Sequence, residues 1–292
     1  QAEADATAGE TTLALGDTIA TWDEFSPNLY RIESTLVLPN GGTHAHRSRF
    51  GMVEYRVDGR RFLVNGRPTL FRGTLDCAVF PLTGYPPTDV ESWKREITAV
   101  KAHGLNHIRF HSWCPPRAAF EAADELGCYL QIEHAWTAPV RAGDYLMSEG
   151  ERVVREFGNH PSFAMHAYGN EPHGGNAWLT NWASHFKTRD PRRLHCASSG
   201  WPVTATSDYH VLMDGLRVFP WGAGIKAAIN RDAPATVADF GDKTRAHGQP
   251  LIAHESGQWC VYPDFDEIPK YTGFLKARNF ELFRETLTTN HL

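Results

Sequence analysis

Hydrophobic positions along the chain follow two rhythms, and the change falls near residue 66. Before it, apolar residues come in short alternating or continuous runs: Thr12 to Leu15, Leu29 to Leu38, Phe50 to Val57 and Arg61 to Val64. Asn40-Gly41-Gly42 and Asn65-Gly66 interrupt them with turn-forming residues. No stretch shows helical period and length, so residues 1–66 are expected to be all-β. The segment is short for a two-sheet sandwich, which makes part of a sandwich the expectation. Residues 1–10, rich in Ala, Glu and Thr, read as a frayed start.

From residue 67 onward, strand-like runs alternate with helical periodicities, the pattern of a parallel α/β fold. Strands are expected at Thr69–Thr74, Asn106–His111, Cys128–Glu133, Phe163–Ala167, Leu194–Ser198, Tyr209–Met213 and Leu251–His254. Helices are expected at Asp89–His103, Pro116–Leu126, Glu149–Phe157, Ala177–Lys187 and Thr236–Ala246, with a further one from Tyr271 to Leu287. Asp89 reads as an N-cap, and Gly104, Gly127, Gly158 and Gly248 as stops. The alternation over 67–292 predicts a (β/α)8 TIM barrel, a fold of about 250 residues, truncated before its last strand. An open barrel has two unpaired edges, so the missing parts are expected from a longer native chain or from oligomerisation. Position 1 is Gln rather than Met, which fits a processed chain or a piece of a longer one.

Two short, mostly apolar runs are closed by a glutamate just past an expected strand. Glu171 closes Phe163-Ala-Met-His-Ala-Tyr-Gly-Asn-Glu-Pro172, and Glu255 closes Pro250-Leu-Ile-Ala-His-Glu-Ser-Gly257. In a parallel barrel the C-terminal mouth of the strands carries the chemistry. Two carboxylates facing one cavity there suit glycosidic bond cleavage, where one protonates the leaving oxygen and the other attacks the anomeric carbon or activates water. Asn170, just before Glu171, can donate its amide to the sugar 2-hydroxyl. A single glutamate at a strand end would more often be an ion-pair partner or a cap; the pair is what points to catalysis.

Composition narrows the classes further. Hydrophobic residues make up 41% and charged residues 22% of 292, as in a globular domain, and no apolar run reaches the length of a membrane span. The formal net charge of −5, with no basic block, argues against nucleic acid and anionic membrane as partners. Nine Trp among 12% aromatics suit stacking on sugar rings. The five Cys include no Cys-x-x-Cys pair and read as free thiols. Among 15 His, His107 and His111 would stand about 13 Å apart on a strand, too far to share an ion. No cofactor and no metal is expected, although a metal-dependent hydrolase on the same fold stays a rival. The compartment is open, with periplasmic or secreted preferred over cytoplasmic.

The motifs resemble glycoside hydrolase family 2, which includes β-galactosidases and β-glucuronidases. Gly169-Asn-Glu-Pro172 and Glu255 carry the likeness, together with Val57 to Gly73, Asn106 to Pro116, Ala123-Asp-Glu-Leu-Gly127 and Asn159-His-Pro-Ser162. Trp22 to Tyr30 resembles a strand of that family's immunoglobulin-like middle domain, which makes residues 1–66 a partial immunoglobulin-like domain on this resemblance. The resemblance covers about residues 20–285 and implies a retaining exo-β-glycosidase acting by double displacement, with Glu171 as acid/base and Glu255 as nucleophile. The stretches around Glu255 and His111 differ from the usual forms. Substrate identity therefore stays open: β-galactoside first, then β-glucuronide or β-galacturonide, then β-mannoside, on oligosaccharides or polysaccharide fragments. A non-catalytic sugar-binding barrel is the rival from another class.

The supporting residues follow. Strand alternation puts His107, Arg109 and His111 on one face; Arg109 either holds the nucleophile ionised, as the resemblance implies, or is a structural arginine. His111 either bonds a sugar hydroxyl or packs in the core. Asp76 and Glu133, ending strands one and three, either bind sugar hydroxyls or form ion pairs. Trp259 and Trp201 are candidate stacking platforms, and Tyr209 is a candidate partner of the nucleophile, as in the broader clan. Arg141 and Arg217 could meet a uronate carboxylate.

Overall fold

The structure is a computed structural model and describes residues 12–16, 18–135, 143–212, 241–255 and 262–292. Its first part is antiparallel. Strands β1 (Tyr30–Val37) and β2 (Thr43–Phe50) form an exposed hairpin, and β3 (Tyr55–Asp58), β4 (Arg61–Val64) and β5 (Arg67–Thr69) form a three-stranded sheet. Asn65 and Gly66, at φ 51° and 75°, make the two-residue turn between β4 and β5. A turn with two left-handed residues matches the twist of the paired strands, and Asn and Gly are the residues that accept it.

Parallel strands alternate with helices in the remainder: β6 (Gly73–Asp76), α1 (Val90–Ala102), β7 (His107–Phe110), α2 (Arg117–Leu126), β8 (Tyr129–Glu133), α3 (Gly143–Phe157), β9 (Phe163–Ala167), α4 (Asn176–Arg189), β10 (Leu194–Cys196), β11 (His210–Leu212), α5 (Gly241–Arg245) and β12 (Leu251–Ala253). A 3-10 turn (Phe265–Lys270) and α6 (Arg278–Thr289) follow. Asp89 caps α1 by accepting from the Ser92 amide at 2.8 Å, and Gly127, at φ 70°, ends α2 in the left-handed conformation.

Strands β6 to β10 pair in chain order, and β11 pairs with β12. Single bridges from Asn170 to Ser199 and from Ser199 to Val211 join the two groups. The ladder therefore runs from β6 to β12 as a curved α/β sheet. Its end strands face each other across a cavity of about 170 Å³, lined by Thr74 and Leu75 on one side and Ile252 and Ala253 on the other. Alternation sorts the two faces. Ile108, Phe110, Leu130 and Ile132 pack outward against Trp93, Ile97 and Phe120 of the helices. His107, Arg109 and Gln131 point inward and line the cavity.

The N-terminal ends of the parallel strands are closed by the antiparallel part. Trp22, Tyr55, Phe62 and Phe71 pack with Tyr129, Leu194 and Tyr209 in one apolar cluster. Phe62 meets both Phe71 and Tyr209 edge-on, at 5.0 and 5.8 Å between ring centres. Two polar tips are satisfied on the way: the Trp22 indole donates to the Asp124 carbonyl at 2.7 Å, and the Tyr55 hydroxyl to Pro161 at 2.6 Å. Full burial of rings this large stabilises by about 1.5–3 kcal/mol each.

Several boundaries differ from expectation. Thr69–Thr74 is not one strand: Thr69 ends β5, and the parallel ladder begins only at Gly73. Between them the Arg72 amide donates to the Asn106 side chain at 2.7 Å, so Asn106 sets where the new sheet starts. Phe50–Val57 also splits in two. A Cβ on Gly51 would come within 2.7 Å of Pro161, so the chain presses its bare backbone there and re-enters the β conformation at Tyr55. Thr12 to Leu15 form no strand, α3 starts at Gly143 rather than Glu149, and the helix expected from Tyr271 to Leu287 runs from Arg278 to Thr289 as α6. Residues 236–240 of the expected fifth helix lie outside the described residues.

Candidate active site

Glu171 follows β9 and Glu255 follows β12, and both sit in left-handed backbone, at φ 43° and 51°. For a residue with a side chain that conformation costs on the order of 1–3 kcal/mol, so the surrounding structure must hold it. Ser199 does so at Glu171, accepting its amide at 2.8 Å. Gly200 leaves the space for its side chain, since a Cβ there would lie 3.0 Å from Glu171 Cγ. One oxygen from each carboxylate and one His254 ring nitrogen lie within 4.8 Å of one another. The Glu255 side chain is 9% exposed and that of Glu171 27%, so one acid lies deeper and the other nearer solvent.

A charged network lies beneath them. Arg109 Nε and Nη2 both donate to Glu133, each at 2.8 Å. The same Nη2 donates to Asn170 Oδ1 at 2.7 Å, and Nη1 lies 3.8 Å from Glu255. Glu133 also accepts from the Ser112 hydroxyl at 2.6 Å and the Ser199 hydroxyl at 2.5 Å, with His111 Nδ1 at 3.2 Å. Burial by itself would raise the Glu133 pKa; the Arg109 charge and these hydrogen bonds outweigh it and hold the carboxyl at about 2. Burial likewise works against the Arg109 cation, but Glu133 and Glu255 raise its pKa on balance. The fork-to-carboxylate geometry leaves Arg109 one orientation, with a nitrogen turned toward Glu255.

His254 sits between the two acids, fully buried. Its Nε2 is 3.0 Å from Asn170 Oδ1 and 3.3 Å from Glu255, and its Nδ1 is 3.6 Å from Glu171. The spacing of Glu171, His254 and Glu255 is one a divalent cation could fit, and no other such group occurs among the described residues. The Arg109 guanidinium, 3.8 Å from Glu255, places a fixed positive charge beside that position and opposes a cation there.

Most of the candidates converge. Glu171, Glu255, Asn170, Arg109 and His111 meet at one mouth. Trp201 stands beside them, its indole donating to the Pro172 carbonyl at 2.9 Å and its ring 6.1 Å from that of His173. Three candidates are corrected. Glu133 is fully buried with its oxygens occupied, so it anchors Arg109 and does not reach a sugar. Tyr209 precedes β11 and is buried against Phe62 in the closed end. Asp76 is paired in register with Phe110, on the face packed against the helices, and accepts from the Ala78 amide at 2.7 Å. Trp259, Arg141 and Arg217 lie outside the described residues. The residues not foreseen are His254, Ser112 and Ser199. Of these only His254 carried a signal, as the neighbour of Glu255 in His-Glu-Ser.

The fold and the acid pair together define a parallel α/β protein with a carboxylate-lined mouth. No family model matches the chain. It is similar to the β-galactosidase of Lactococcus lactis subsp. lactis (strain IL1403), 29% identical over 184 residues, and to β-galactosidase 2 of Enterobacter cloacae, 29% identical over 206 residues. These alignments take in 58% and 66% of this chain but 18% and 20% of the relatives, so the chain spans about a fifth of their length. Among solved structures, its fold resembles a β-glucuronidase of Parabacteroides merdae (TM-score 0.56, 20% identity, 65% of this chain and 26% of that one). It also resembles a β-D-glucuronidase of Dictyoglomus thermophilum (TM-score 0.58, 19% identity, 65% and 37%).

Proposed function

We propose that the chain is the catalytic part of a retaining β-glycosidase of the glycoside hydrolase family 2 type. The observation that carries this reading is the spacing of the acids: oxygens of Glu171 and Glu255 within 4.8 Å of each other. Inverting enzymes keep their carboxyls about 6.5–9.5 Å apart to admit a water, and retaining ones about 5–5.5 Å. The deeper acid, Glu255, lies 3.8 Å from the Arg109 guanidinium and is assigned the part of nucleophile. The more open acid, Glu171, is placed to exchange protons with the leaving group and with water.

In the first step Glu255 attacks the anomeric carbon, the glycosidic C–O bond breaks, and Glu171 gives its proton to the departing oxygen. In the second, Glu171 takes a proton from water, the hydroxide attacks the same carbon, and Glu255 leaves as carboxylate. Asn170 supplies a donor toward the 2-hydroxyl, and the partly buried Trp201 a face for the sugar ring. The β6–β12 ladder is read as most of a (β/α)8 barrel (67–292), and residues 1–66 as part of an immunoglobulin-like domain. β-Galactosides come first among the proposed substrates, a reading that the likeness to β-galactosidases supports, and β-glucuronides next, with oligosaccharides or polysaccharide fragments as the natural source.

A panel of 4-nitrophenyl β-D-glycosides tests the activity, and Glu255→Ala tests the mechanism. That variant is expected to lose turnover by about 10⁴-fold or more. Azide should restore cleavage and yield the glycosyl azide of inverted configuration. No cleavage of any glycoside by the parent, or azide rescue with retained configuration, would overturn the proposal.

A further inference from the structure

The side-chain amide of Asn170 can be flipped, exchanging its oxygen and nitrogen with little change in shape. Its neighbours decide which end faces the mouth. Arg109 Nη2 lies 2.7 Å from one end, and a guanidinium only donates, so that end must be the oxygen. His254 Nε2 lies 3.0 Å from the same atom. Since the oxygen can only accept, the proton of a neutral His254 sits on Nε2. Two donors thus hold the oxygen, and the Nδ2 group takes the other branch of the amide.

We infer that His254 is a positioning residue that sets the orientation of the Asn170 amide, so that Nδ2 faces the 2-hydroxyl of the bound sugar. This rests on the glycosidase reading given above. Flipping the amide would turn its NH2 against both Arg109 and His254, with donor facing donor on each side. Arg109 donates to the same oxygen through Nη2, which also donates to Glu133. His254 is fully buried and its own backbone amide donates to the Leu212 carbonyl at 2.9 Å, so its ring approaches Asn170 from a fixed point of the ladder. The contact to the 2-hydroxyl strengthens in the transition state, so its loss lowers kcat more than it raises KM.

A second substrate lacking the 2-hydroxyl isolates this role. The parent, His254→Phe, His254→Gln, Asn170→Ala and the Asn170→Ala/His254→Phe pair are compared on two substrates. One is the 4-nitrophenyl β-D-glycoside cleaved fastest, and the other its 2-deoxy counterpart. His254→Phe removes the donor while filling the site, and is expected to lower kcat/KM by about 10–100-fold on the hydroxylated sugar, with the fall mainly in kcat. On the 2-deoxy sugar the loss should be about tenfold smaller, and what remains there reports the His254 contacts to Glu171 and Glu255. His254→Gln, which can still donate, should recover most of the preference. Adding His254→Phe to Asn170→Ala should cost little more than Asn170→Ala alone, because the two residues act through one contact. The ratio of the two substrates within one preparation does not depend on how much of a variant has folded. Where His254→Phe gives no active protein, His254→Met supplies the ratio. Equal losses on both sugars, or multiplicative losses in the double variant, would overturn the inference. A parent that cleaves neither sugar would overturn the glycosidase reading itself.

Discussion

The two ends of the parallel ladder are built from opposite materials. At the N-terminal end, Trp22, Tyr55, Phe62, Phe71 and Tyr209 make a dry aromatic seal. At the C-terminal end, Arg109, Glu133, Asn170, His254 and both glutamates form a polar cluster whose members hold each other in place. One end is held by area removed from water, which tolerates small shifts. The other is held by directed hydrogen bonds and charge, which do not. The seal therefore carries stability without chemistry, while the polar cluster carries chemistry along with part of the stability, and substitutions should separate the two.

The largest expected separation comes from Glu171→Ala. Turnover of natural β-linked oligosaccharides should fall by about 10³-fold or more, and that of aryl glycosides with acidic leaving groups far less, since those need no proton. Equal losses on both substrates would remove Glu171 from the acid/base role. At the sealed end, Trp22→Ala should cost about 3–5 kcal/mol of unfolding free energy in a denaturant titration. Its folded fraction should keep the parent's substrate preference; a changed preference would show the ends to be coupled. Glu133→Ala breaks a buried pair at the active end and should cost about 3–5 kcal/mol while also lowering kcat, because Arg109 loses its orientation.

Acid should act on the interior in two windows. His107 is buried with neither ring nitrogen hydrogen-bonded, and burial, aided by the Arg109 charge, lowers its pKa from 6.5 to about 3. The unfolded chain takes up that proton first, so this contribution to stability is full above pH 6.5 and drains away as pH falls toward 3. Glu133, lowered from 4.5 to about 2, has its contribution above pH 4.5 and loses it below. Urea titrations between pH 8 and 3 should show both declines, and His107→Leu should flatten the first alone. An unchanged slope in that variant would refute the assignment. The smallest expected effect is that of a chelator: EDTA should leave glycoside turnover unchanged, and a loss restored by zinc would assign a cation to Glu171, His254 and Glu255 instead.

Much of this was legible in the residues, for identifiable reasons. The glutamates stood out because each ends a short apolar run, and the strand β9 falls on Phe163–Ala167 as expected. Helix ends followed from local chemistry at Asp89 and Gly127. Asp76 and Glu133 looked alike in sequence, both acids at strand ends, yet they face opposite ways. The difference lies in register: Asp76 is opposite Phe110, which packs outward, while Glu133 stands two residues beyond the inward Gln131. Register depends on neighbouring strands, and alternation within a single strand does not reveal it. Tyr209 stood at the start of the expected strand Tyr209–Met213, and the structure puts the start of β11 at the sealed end. His254 was hidden because simple alternation would turn it away from Glu255; the left-handed kink at Glu255 lets both face the mouth.

That kink has a price in heat resistance. Glycine is the residue that adopts such backbone freely, so Gly at 171 or 255 would relax the chain where the parent is bent against its preference. Any search for hardier variants that ignores turnover should drift to these two places and discard the acids first.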